Sequence, residues 1–131
     1  MSPVDAILVS GDPRLRAPAA PVGGAPAPAE VARVTAALAA ARARHGFGRA
    51  LAAPQIGLGR RLIALDLGAG PFAIADPEIT WRSEDQVLVW DDCFSVPDVV
   101  AQVARHRSIS LRYRDERGRV RSWERLSPEL A

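Results

Sequence analysis

Only one long stretch of this chain reads as a helix, and that constrains the fold more than any other feature. From Glu30 to His45 the apolar residues Val31, Val34, Leu38 and Ala41 recur at helical spacing and form one stripe. Glu30 stands at the positive end of the helix dipole, and Arg42, Arg44 and His45 stand at its negative end. Gly46 is a natural stop, because glycine takes the left-handed conformation that ends many helices. The chain before this helix is closed to regular structure by Pro18, Pro21, Gly23, Gly24, Pro26 and Pro28. Residues 1–29 are therefore expected to be an extended or looped arm. Within it, residues 6–9 read as a short strand and Gly11-Asp12-Pro13 as a turn.

After Gly46 the apolar pattern shortens. Residues 61–66 and 72–75 are brief apolar runs, the second closed by Asp76-Pro77, and residues 86–90 lead into a cysteine segment. Residues 108–114 alternate, with Ile109, Leu111 and Tyr113 on one face. Asp115 to Gly118 reads as a hairpin turn and residues 119–124 as the returning strand. One early helix followed by short strands at close spacing implies an α+β fold with antiparallel sheets. The 131 residues fit a single domain, and 48% hydrophobic against 24% charged residues is an ordinary globular composition. At the end, Ser127 is a good N-cap, Pro128 suits the first helical position and Glu129 favours the first turn. A helix of four residues does not sustain itself. The expectation is one domain over residues 1–131, incomplete at its C-terminus.

No segment approaches the roughly 18 consecutive apolar residues of a membrane span. Residues 1–10 lack the cationic and apolar regions of a signal peptide. With a single cysteine, this points to a cytoplasmic protein. A net charge of +2 gives no reason to expect DNA as a partner. All the lysine-plus-arginine charge is arginine, with eight Arg against four acids in residues 101–131 and nine against eleven in residues 1–100. That basic end is either a solvated sheet face or a surface for RNA or the ribosome.

Two segments stand out chemically. Gly48 to Gly57 is rich in small residues that let backbone approach a ligand or another element, and it carries Gln55, a polar group among apolar ones. Taken alone it is a tight packing corner with Gln55 bonded to backbone, or a binding loop. The second segment, residues 90–97, holds Cys93, the lone cysteine. Alone it is either inert packing or a reactive group. His106 is the partner a Cys–His nucleophile pair would need, though its arginine neighbours mark it as exposed. His45 is explained by the helix dipole.

Together the two segments resemble the peptide deformylase family, metallohydrolases that remove the formyl group from the initiator methionine of nascent bacterial chains. Gly48 to Gln55 is similar to the family motif G-x-G-x-A-A-x-Q, with Ala50 in place of the second glycine. Asp91 to Ser95 is similar to E-G-C-x-S, with Asp91 for Glu and Asp92 for Gly. Asp12 to Arg16, Asp76 to Thr80 and Tyr113 to Gly118 carry the likeness along the chain in the family's order. The third motif, H-E-x-x-H, is absent from these 131 residues. In the family it lies on the helix that follows the position of Ser127.

The resemblance implies a role for each matching residue. Cys93 would be the thiolate ligand of a divalent metal, typically Fe(II) and replaceable by Zn, Ni or Co. Gln55, through its side-chain amide, and Phe94, through its backbone N–H, would donate to the developing oxyanion. Gly48 and Ala50 would lie along the substrate backbone, and Leu51 with Phe94 would line the methionine pocket. The substrates would be N-formyl-methionyl peptides, with the ribosome as a partner and a homodimer as a way to cover surface left by a missing helix. Lacking H-E-x-x-H, the chain as written is expected to be inactive. The alternative is a non-catalytic module that binds formyl-peptides or the ribosome.

Overall fold

The computed structural model describes residues 7–126, and for Asp92 and residues 97–99 the backbone alone. Its one long helix, α1, spans Pro28–His45, with proline at the start, Glu30 in the first turn, and Arg42, Arg44 and His45 in the last. Gly46 ends it at φ 76°, and its N–H returns to the Arg42 carbonyl at 2.8 Å. The expected stripe is the buried one: Val34, Leu38 and Ala41 face the core with Ala37, and Val31 packs at its margin.

Seven strands follow: β1 Ala50–Ala52, β2 Leu62–Asp66, β3 Pro71–Arg82, β4 Gln86–Cys93, β5 Val96–His106, β6 Ile109–Arg114 and β7 Val120–Leu126. Five form one antiparallel sheet in the order β1-β2-β3-β6-β7, and β4 with β5 forms a separate hairpin. The helix packs on β1, β2 and β3. Ala64, Ala73 and Ala75 on the sheet meet Ala37 and Ala41 on the helix, so short side chains let the two layers approach closely. Leu38, Leu51, Leu62 and Val34 fill the remaining volume, each fully buried. Each such side chain contributes about 1.5–3 kcal/mol.

Three differences from the sequence reading have local causes. Residues 7–9 are not a strand, because their backbone serves two separate segments. The Leu8 N–H bonds the Gln55 carbonyl at 2.6 Å and the Ser10 N–H bonds the Ser95 carbonyl at 2.7 Å. Asp76-Pro77 does not close β3. The pair is absorbed as an irregularity between Ala75 and Glu78, with Asp76 at φ 50°, and the strand runs on to Arg82. The Asp76 carboxylate accepts from the Val22 and Gly23 N–H groups at 2.7 and 2.8 Å and ties the proline-rich arm to the sheet. Finally, β5 had no strand signal, since its partly apolar run after Pro97 lacks alternation. Pairing with β4 from Cys93↔Val96 to Gln86↔His106 makes it a strand. Ser127 to Ala131, the expected helix start, lies outside the described residues.

Candidate active site

The end of α1 and the tip of the β4–β5 hairpin enclose a cleft of about 340 Å³. Phe47 to Ala50 and Gln55 line one wall, and Asp91, Cys93 and Phe94 line the other. The two sequence segments, some forty residues apart, are thus brought face to face.

Gln55 sits in a single 3-10 turn, Ala53–Ile56, that directly follows β1 and ends at Gly57 with φ 76°. Pro54 is the second residue of that turn, and the turn folds the glutamine amide back over β1. Its Oε1 accepts from the Ala52 N–H at 2.9 Å. Its Nε2 donates to Ser95 Oγ at 3.0 Å and lies 3.5 Å from Cys93 Sγ. Ser95 is 4% exposed, so it holds the amide from a fixed point. Gln55 is thus bonded to backbone, as the packing-corner reading expects. The side chain is clamped by backbone, and its nitrogen still faces the thiol.

Cys93 ends β4 with its thiol free and exposed. Strand alternation puts Asp91 on the same face, and its Oδ2 accepts from Arg105 Nη2 at 2.8 Å across the hairpin. Phe94 follows at the turn and is 9% exposed, with its ring in the core cluster. Gly48 is required by this ring. At φ 113° it sits where a Cβ would lie 2.1 Å from Phe94 Cζ. The close approach expected of the glycine is to another element of the protein. Arg42 holds the same loop by donating to the Gly48 carbonyl at 2.5 Å and to the Asp66 carbonyl at 3.3 Å.

Sequence reasoning missed Phe47. It is 44% exposed and stacks on Phe94, with ring centroids 5.6 Å apart and an interplanar angle of 18°. His45 tilts over both rings at 5.7 Å, so it does more than face the helix dipole. The available signal was three aromatic rings within a few residues of the two motifs. Leu51 does not line the cleft. Alternation along β1 turns it inward, where it is fully buried in the core, and leaves Ala50 on the cleft wall. His106 is no partner for Cys93. It lies opposite Gln86, seven residues up β4, roughly 23 Å away at ~3.3 Å per residue. Its Nδ1 bonds the Ser83 carbonyl at 2.8 Å.

The arginines of the C-terminal part are largely engaged by acids. Arg105 meets Asp91, Arg107 meets Asp85, Arg112 meets Glu78, and both Arg119 and Arg121 meet Asp115. Among the described residues no helix is long and apolar enough to cross a membrane.

The sequence matches the family model described as Polypeptide deformylase over residues 4–126. The chain belongs to that family. Peptide deformylase from Thermotoga neapolitana is 33% identical over 74 residues, covering 56% of this chain and 45% of that protein. A peptide deformylase-like protein of Brucella melitensis is 39% identical over 117 residues, 86% of this chain and 68% of that protein. The crystal structure of peptide deformylase from Thermotoga maritima shares the fold with a TM-score of 0.79 at 30% identity, covering 95% of this chain and 82% of that one. The chain spans less than half the length of the Thermotoga neapolitana relative.

Polypeptide deformylases are a metalloenzyme family. Among the described residues no group of three or more His, Cys, Asp or Glu side chains could hold a metal ion. A catalytic metal needs about three protein donors. Cys93 brings one thiol to the cleft, and Asp91 beside it is held by Arg105. The described residues by themselves do not fit the metal.

Proposed function

We propose that this chain binds N-formyl-methionyl peptides in the cleft and presents the formyl group for deformylation beside Cys93. The Gln55 amide carries the reading. An amide nitrogen has two hydrogens, and Nε2 directs one to Ser95 Oγ at 3.0 Å and the other towards Cys93 Sγ at 3.5 Å. Sulfur is a weak acceptor. A formyl oxygen arriving beside the thiol takes that second hydrogen at little cost, because the Ala52 and Ser95 bonds keep the amide in place.

The backbone N–H of Phe94, at the hairpin turn, is the second donor. With a metal and its nucleophile supplied, each such donor would stabilise the charge developing on the formyl oxygen by about 3–4 kcal/mol. Gly48 and Ala50 lie along the peptide backbone, the latter with a methyl group that narrows the cleft. The exposed face of the Phe47–Phe94 stack takes the methionine thioether, an arrangement sulfur favours.

Fe(II), or Zn, Ni or Co in its place, is the metal the resemblance implies, and Cys93 is the described residue that would ligate it. The further ligands and the glutamate of H-E-x-x-H are not in the 131 residues. Those residues alone are therefore expected to bind formyl-peptides without hydrolysing them. The reading goes with a cytoplasmic protein working near the ribosome. A homodimer covering the exposed Leu88, Trp90 and Val100 of the hairpin is consistent with it.

Calorimetric titration with formyl-Met-Ala amide and with unformylated Met-Ala amide tests it. The formylated peptide is expected to bind at least about fivefold more tightly, the worth of one net hydrogen bond. Equal affinities would overturn the reading.

A further inference from the structure

We infer that Arg49 makes this cleft selective for formylated peptides that carry a carboxylate close to the formyl-methionine, an assignment that rests on the formyl-peptide site proposed above. Arg49 follows Gly48 on the cleft wall and is exposed. Its backbone is fixed, since its carbonyl accepts from the Asp66 N–H at 2.8 Å at the end of β2. Its guanidinium makes no hydrogen bond or ion pair with a described residue. The neighbouring cations are already engaged. Arg42 is committed to the Gly48 and Asp66 carbonyls, and Arg105 to Asp91 at 2.8 Å.

Asp91, the acid described on the cleft wall, thus has its countercharge on the hairpin itself. Among the described residues the cleft is left with one cation that no anion answers. An arginine fork matches a carboxylate with two parallel hydrogen bonds. Placed one residue from Gly48, Arg49 meets a peptide lying along that wall. An aspartate or glutamate side chain and the free C-terminus of a short peptide offer it the same group.

Titration of the 131-residue chain tests the assignment with formyl-Met-Ala amide, formyl-Met-Asp amide and formyl-Met-Ala free acid, alongside unformylated Met-Ala amide. The carboxylated peptides are expected to bind about fivefold more tightly than the neutral formyl-peptide at low salt, the gain shrinking as salt is raised. The ratio falls to about one in Arg49→Gln and is only partly kept in Arg49→Lys, which keeps the charge but loses the fork. Both variants change an exposed side chain, and circular dichroism verifies their fold. A gain with formyl-Met-Asp amide alone identifies a side-chain carboxylate, and a gain with the free acid alone identifies the C-terminus. Equal binding of neutral and carboxylated formyl-peptides, or an unchanged ratio in Arg49→Gln, overturns the assignment while leaving the formyl site intact. Loss of any preference for the formyl group overturns both.

Discussion

Gly48→Ala attacks the packing contact between the two motifs, and the structure resolves its penalty into two parts. The first is conformational, because φ 113° is a region that side chains rarely adopt. Holding alanine there costs about 1–3 kcal/mol. The second is steric. The new methyl would lie 2.1 Å from Phe94 Cζ and 2.7 Å from Cε2, well inside contact. The ring cannot swing away freely, since it is 9% exposed and backed by Phe47 and His45. Overpacking of this kind costs a further ~1–3 kcal/mol. A combined loss near 4 kcal/mol is expected. With an unfolding entropy of ~2.1 cal/mol/K per residue, it lowers the Tm by roughly 14 °C for a chain of this length. Thermal unfolding followed by circular dichroism measures it. Phe94→Leu separates the parts, because leucine retreats from the glycine. In that background the penalty of Gly48→Ala is expected to fall by about 1–2 kcal/mol, leaving the backbone part. A penalty under ~0.5 kcal/mol, or one unchanged by Phe94→Leu, would refute the packing of the glycine loop on Phe94.

Asp76→Ala removes the acceptor for both the Val22 and Gly23 N–H groups, so a loss of about 1–2 kcal/mol in urea unfolding is expected, with Asp76→Asn recovering part of it. Partial burial pushes the Asp115 carboxyl up, but hydrogen bonds from the Arg119 N–H, the Arg121 guanidinium, the Arg117 N–H and the Arg119 guanidinium outweigh it and hold the pKa lowered to about 2. A carboxyl depressed by folding stabilises above its unfolded pKa and stops doing so as pH falls through the folded one. The Asp115 contribution is therefore complete above about pH 4 and lost towards pH 2. Urea midpoints of the wild type and Asp115→Asn, compared across that window, are expected to converge as the pH falls, and a constant gap would contradict the turn geometry.

The helix and the β6–β7 hairpin were legible because each declares itself locally. A stripe at helical spacing with Gly46 at its end leaves one choice, and so does the Asp115 to Gly118 turn after an alternating run. β5 was not legible, because its pairing comes from β4 and its own residues carry no period. The short strand read at residues 6–9 is not formed over residues 7–9 for a related reason. Leu8 and Ser10 bond Gln55 and Ser95, two segments whose proximity only the folded chain creates. At the candidate site, Gln55 and Cys93 were singled out through their motifs, and the structure puts them 3.5 Å apart. Leu51 was misassigned to the methionine pocket because a motif gives order along the chain and not the side of a strand. Phe47 and Arg49 were overlooked because neither residue type is unusual in a loop. Their significance lies in the stack with Phe94 and in the lack of a described acid beside the guanidinium.

The central claim is that Gln55 Nε2 donates to the formyl oxygen, and the side-chain amides report on it directly. The chain has three glutamines, Gln55, Gln86 and Gln102, and no asparagine, so its side-chain amide spectrum holds three pairs of signals. Gln55→Glu identifies one pair by its loss. It keeps an oxygen for the Ala52 N–H and offers the Ser95 hydroxyl an acceptor, so the fold is expected to survive. The account predicts that formyl-Met-Ala amide moves the Gln55 pair in proportion to occupancy, that Gln86 and Gln102 stay in place, and that unformylated Met-Ala amide leaves all three unmoved. Binding of the formyl-peptide without movement of the Gln55 pair, or equal movement with the unformylated peptide, would contradict it.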